Sequence, residues 1–142
     1  MSKDRFVHYT TGIADMDDQH WELFKEMDDL VVRLKAQDYL NIVEKLLQLS
    51  ILMAAHFRLE DALMESVSYP FINEHQLAHA TQMTHLTRVQ SKAQNNTFFS
   101  DAYISETSEL LVKHVDAHDI QLANYLMKFN LTGLEFDATI TP

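Results

Sequence analysis

The sequence predicts an all-α protein, an up-down-up-down four-helix bundle with an N-terminal arm, and three observations carry that prediction. Apolar residues recur at three- and four-residue intervals through four long segments. Only two glycines and two prolines occur in 142 residues, too few for the turns of a β-rich domain. The breaks between the stripes are short and polar, which makes consecutive helices antiparallel neighbours. One domain therefore covers residues 1–142, with the bundle over about 17–129 and a tail over 130–142.

The arm "MSKDRFVHYTTGIADMDDQH" shows no sustained period until about Asp17. His20, Leu23, Phe24, Met27, Leu30, Val31 and Leu34 then form the first helical stripe. "AQD" interrupts it and puts Asp38 where it can cap the second helix. The second stripe is Leu40, Val43, Leu46, Leu47, Ser50, Met53, His56, Phe57, Glu60, Leu63 and Met64, with His56 and Glu60 standing where leucines are expected. "SVSYP" closes that helix, and Pro70 suits the first turn of the third, where its missing N–H has no partner to lose. Phe71, His75, Ala78, His79, Met83, Leu86 and Val89 make the third stripe. In the next break, "KAQNNTFFSD", the two phenylalanines are expected to fold over the bundle end, with Ser100 or Asp101 as cap. The fourth stripe is Leu111, His114, Val115, His118, Leu122, Tyr125, Leu126 and Phe129, before "NLTGLEFDATITP" stops the helix and frays.

Composition removes several function classes. The formal charge is −10, from 21 acidic against 11 basic residues, and no basic block follows a phosphate backbone, so nucleic acid is not an expected partner. Without cysteine there are no disulfides, thiolate metal sites or cysteine nucleophiles. Neither end reads as a signal peptide and no uninterrupted apolar stretch reaches bilayer length; a cytoplasmic location without membrane insertion is expected.

The ionisable residues on the apolar faces carry the chemistry. Positions four apart differ by about 40° around a helix, so His56 and Glu60 share a face, as do His75 and His79. On the fourth helix His114 and His118 are also about 40° apart, whereas Asp119 lies about 140° from His114. Periodicity thus assembles His20, His56, Glu60, His75, His79, His114 and one of His118 or Asp119. A single core histidine is usually satisfied by a neighbour. Four helices each sending ionisable groups inward is another matter, because unpaired buried carboxylates and imidazoles cost several kcal/mol. Six or seven nitrogen and oxygen donors exceed the roughly four that one zinc takes, and carboxylates can bridge, so the set suits two metals. Copper would recruit sulfur and calcium or magnesium would avoid so many imidazoles; iron fits best, ahead of manganese and zinc.

Four motifs carry a resemblance. "GIADMDDQH" (12–20), "HFRLEDALM" (56–64), "YPFINEHQLAH" (69–79) and "HVDAHD" (114–119) resemble, in order and spacing, the signatures of the hemerythrin family, in particular its bacterial members, over about Gly12 to Met127. The resemblance implies two non-haem iron ions bridged by an oxo or hydroxo group. It implies that His20 and His56 bind one iron, that His75, His79 and His114 bind the other, and that Glu60 and Asp119 bridge both. Asp119 is thereby chosen over His118, which requires a wide stripe or a local π-type turn. Leu110 stands where many members have tryptophan, and Phe6 is expected to replace an arm tryptophan as an aromatic lid. His85 is expected at solvent or near a helix contact, and His8 lies in the arm.

By ligand count the three-histidine iron reaches six donors and the two-histidine iron five, which leaves one position for dioxygen. The expected function is reversible dioxygen binding for storage, delivery or sensing, by a protein that is not an enzyme. Ferritin-like oxidases use four carboxylates and two histidines, and five neutral imidazoles stabilise high-valent iron less. Leu23, Phe24, Met27, Leu111 and Val115 are the expected pocket walls. The competing readings are an oxygen or redox sensor that signals to a protein partner, and a diiron enzyme with oxidase or peroxidase-like activity.

Overall fold

The computed structural model describes residues 6–95 and 100–129, and they form an all-α, four-helix bundle. A short turn, Val7–Tyr9, precedes α1 (Ala14–Lys35), α2 (Tyr39–Ser66) and α3 (Ile72–Gln94). The fourth helix has three parts: α4 (Asp101–His114), a π-helical turn (Val115–Asp119) and α5 (Ile120–Met127). α1 packs on α2, α2 on α3, α3 on α4 and α4 back on α1, so the four faces close a ring.

The turns are short because left-handed residues reverse the chain. Gln37 (φ 58°) ends α1 and Ser68 (φ 50°) ends α2. In each case the following N–H reaches back five residues, Asp38 to Arg33 O at 3.0 Å and Tyr69 to Met64 O at 2.9 Å, the Schellman closure of a helix end. Asp38 stands at the N-cap of α2 but does not cap it. Its carboxylate accepts from Asn41 Nδ2 and Arg33 Nη1 instead. Ser100 likewise precedes α4 without a side-chain capping bond. The arm is fastened differently: the Asp17 carboxylate accepts from the Thr11 N–H at 2.6 Å, the Thr11 hydroxyl at 2.7 Å and the Gly12 N–H at 3.1 Å. Phe6, expected as an aromatic lid, is buried with its ring 5.3 Å from Trp21 and 5.7 Å from Phe24.

Two apolar blocks make the core. Leu23, Phe24, Met27, Met53, Leu86 and Leu111 belong to one; Met16, Leu63, Met64, Tyr69 and Leu122 belong to the other. On α1 His20 lies between Met16 of one block and Leu23 of the other, and on α2 His56 and Glu60 lie between Met53 and Leu63.

The stripes needed adjustment on α2. Leu40 is 90% and Leu47 57% exposed, whereas Ile42 and Leu49 are buried. α2 is apolar on several faces, so a three-four period can be threaded through it in more than one way. By length and composition α2 is also the one helix among the described residues apolar enough to cross a membrane. Here its inward face carries His56 and Glu60 between α1 and α3. Phe71 and Phe129 are largely exposed as well. Phe98, Phe99 and the tail 130–142 lie outside the described residues.

Candidate metal centre

All seven residues named from the sequence meet at one place, and none is more than 5% exposed. α1 supplies His20, α2 supplies His56 and Glu60, α3 supplies His75 and His79, α4 supplies His114, and the π turn supplies Asp119. The turn explains how Asp119 arrives. The Ile120 N–H bonds to Val115 O, five residues back, so the helix is locally wider by one residue and His114 and Asp119 fall on the same side. His118 is left at intermediate exposure, with its ring 5.2 Å from His114 and 5.5 Å from His75, outside both ligand groups.

The donors fall into two groups that share both carboxylates: His20, His56, Glu60 and Asp119 in one, and His75, His79, His114, Glu60 and Asp119 in the other. Asp119 Oδ2 lies 2.9 Å from His20 Nε2, while its Oδ1 lies 2.9 Å from His114 Nε2 and 3.1 Å from His75 Nε2. Glu60 Oε1 lies 3.3 Å from His56 Nε2, while its Oε2 lies 2.9 Å from His79 Nε2 and 3.2 Å from His75 Nε2. The His20 and His56 Nε2 atoms are 3.0 Å apart. Separations of this size are those between adjacent donors around an ion with bonds of roughly 2.1 Å at right angles.

Electrostatics say the same. Burial lowers the His79 pKa to about 2, helped by neighbouring His114 and His75, and lowers that of His56 to about 4. Both are neutral imidazoles at physiological pH, the form that binds metal. Burial also works against the Asp119 carboxylate, but the close imidazole nitrogens of His114, His20, His56 and His75 outweigh it and hold its pKa well below the usual range. Glu60, buried beside that negative charge, is pushed well above the usual range. Its partner His114 is raised, since contact with Asp119 and Glu60 outweighs the opposing effect of burial. Protein groups alone do not satisfy the cluster: Glu60 Oε1, both Asp119 oxygens and His114 Nε2 have no aligned hydrogen bond among the described residues. Buried lone pairs converging from five imidazoles and two carboxylates call for cations, so the residues fit two metal ions.

Outer partners orient some of the rings. Gln19 Oε1 lies 2.8 Å from His56 Nδ1 and fixes Nδ1–H as the donor, which turns the Nε2 lone pair inward. Asp61 Oδ1 lies 3.3 Å from His79 Nδ1, an electrostatic contact without hydrogen-bond alignment. Phe57 stacks on His79 at 3.9 Å and lies 5.6 Å from His114.

Gln82 and His85 are among the buried polar residues outside the ligand set. His85 is buried at the α3–α4 contact, with Nε2 2.9 Å from Thr107 Oγ1, whose own proton goes to Tyr103 O. Gln82, three residues after His79, is buried with neither amide atom hydrogen-bonded, an arrangement that costs about 1–3 kcal/mol. A 3.6-residue count that admitted polar residues would have found both. Comparison with family models, curated proteins and solved structures finds no match to this chain, so the resemblance to hemerythrins rests on its motifs. What the geometry establishes is a four-helix bundle whose buried histidine and carboxylate cluster is suited to bind two metal ions.

Proposed function

We propose that this protein binds dioxygen reversibly at two non-haem iron ions, as a hemerythrin-like carrier or store. The observation that carries the reading is the division of Glu60 and Asp119, each with one oxygen toward the two-histidine group and the other toward the three-histidine group. His20 and His56 would hold one ion, His75, His79 and His114 the other, and both carboxylates would span them. When bound, the iron pair supplies the two electrons that dioxygen takes up and returns on release. The unequal histidine count leaves the His20/His56 side one donor short, and that is where the ligand would enter.

The chain's own residues favour retention over turnover. Leu23, Phe24, Met27, Leu111 and Val115 are all buried in one apolar block with Phe57, and they keep bulk water from the site. Among the described residues the only buried acids are Glu60 and Asp119, both within the ligand set, so no further buried acid is placed to work on a substrate. Five neutral imidazoles offset less ferric charge than the four carboxylates of ferritin-like oxidases. The test is metal analysis combined with optical spectra of the reduced protein. Two irons per chain, with a visible band that appears in air and vanishes over repeated deoxygenation, are expected. One zinc per chain, no metal, or a band that decays with product formation would overturn the reading.

A further inference from the structure

A groove runs between α3 and α4 on the side of the His75/His79/His114 group. It consists of two adjoining hollows of about 390 and 450 Å³ that share Leu77, Thr81 and Leu110. The first has His114 in its wall, together with Gln82, Ala78 and Ala117, and its rim carries Glu74, Lys113 and His118. Three buried polar atoms belong to this wall and lack partners: Gln82 Oε1, Gln82 Nε2 and His114 Nδ1. Nothing in the diiron reading uses Gln82 or this groove.

We propose that the groove is a second binding site, which takes a hydroquinone-class molecule and passes its electrons to the metal centre through His114; this rests on the diiron reading above. The walls suit a flat apolar ring. A phenolic hydroxyl both donates and accepts, which matches an amide with an unpartnered carbonyl and an unpartnered NH₂ beside an imidazole N–H. The second hydroxyl, across the ring, reaches the polar rim. A formal charge of −10 and the carboxylates behind His114 disfavour an anion, a penalty that an uncharged hydroquinone does not incur. His114 Nε2 faces the ligand cluster, so a donor in the groove stands one imidazole ring from a metal ion. A dioxygen-binding iron pair must be kept ferrous, and the chain has no thiol to serve as reductant. In the reaction two O–H bonds of the hydroquinone break, its two electrons go one to each ferric ion, the two protons leave to water at the groove mouth, and a quinone remains.

The test uses the full chain as purified. Resorcinol has the same ring and hydroxyl count but cannot form a quinone. Calorimetry is expected to show saturable one-to-one resorcinol binding, weakened about tenfold by Gln82→Leu and lost in Leu110→Phe, which fills the groove. In anaerobic stopped-flow, hydroquinone is expected to reduce the ferric protein with a rate that saturates and that falls in both variants, while dithionite reduces all three proteins alike. Absence of saturable resorcinol binding, or binding that neither variant weakens, overturns the site. Binding with hydroquinone reduction indifferent to both variants overturns the electron role. A chain that carries no iron defeats the diiron reading and the electron role together, while the calorimetry still decides whether the groove is a site.

Discussion

Glu60 and Asp119 divide their oxygens in parallel: Oε1 and Oδ2 face His56 and His20 at 3.3 and 2.9 Å, and Oε2 and Oδ1 face His79 and His114, each at 2.9 Å. The two acids come from different helices, α2 and the π turn, so the parallel is not a consequence of one backbone. A carboxylate is the side chain that can serve two cations at once, because both its oxygens carry the charge.

Asp119→Asn replaces one of the shared oxygens by an NH₂ group and removes the charge that four histidines now hold in place. The expected result is a fall from two metals per chain to one or none, read by elemental analysis. His118→Ala should keep both, since His118 contributes to neither ligand group. The opposite ranking would return the helix to simple α spacing.

Gln19→Leu keeps the volume and removes the acceptor that holds His56 Nδ1–H at 2.8 Å. The ring is then free to flip or change tautomer. Affinity for the metal on the His20/His56 side should fall by roughly 10- to 100-fold with the other side little changed. Competition with a chelator would measure it, and Gln19→Glu should restore binding.

Removing the metals makes the site's pH dependence visible. His56 has its pKa lowered to about 4 by burial, from an ordinary 6.5 in the unfolded chain. Between these values the unfolded chain takes up a proton that the folded one does not. The contribution is therefore fully present above pH 6.5 and is lost as pH falls through 4, amounting to about 3 kcal/mol. Urea denaturation of the metal-free protein at pH 7 and pH 4.5 should show the loss, and His56→Leu should flatten it.

Gln37 occupies left-handed backbone at φ 58° to close α1, and a side chain there is strained by roughly 1 kcal/mol. Gln37→Gly should relieve this and raise thermal stability by a few degrees, with metal content unchanged. A lower melting temperature would mean that Gln37 makes a contact worth more than the strain.

Much of the bundle was legible in the residues themselves, because α1 and α3 have one apolar face each and their stripes could be threaded in only one way. α2 resisted: with Leu40 and Leu47 outside and Ile42 and Leu49 inside, its surplus of apolar residues hid which face is buried. The histidines were easier to place than the leucines, since an ionisable residue within a stripe has few reasons to be there. Gln82 was missed for the converse reason: an uncharged amide outside the four motifs gives no chemical signal that it is turned inward. Asp119 is the limiting case. Regular α spacing turns it away from His114, and the motif resemblance, not the period, selected it.

That dependence on one widened turn gives the sharpest prediction. The π turn holds one residue more than an α-helical turn would need between His114 and Asp119. Deleting Ala117, which is exposed, leaves the acid four positions after His114, still on the inward face, with α5 in its present register. The shortened chain should therefore still bind two metals, and it should be as stable or slightly more so, because the turn loses its poorer hydrogen bonds. Inserting an alanine after Ala117 should instead swing the acid by about 100° and abolish bimetallic binding. Metal content and melting temperature of the two variants decide the matter. If the deletion loses the metals and the insertion keeps them, the widened turn is not what brings Asp119 to His114.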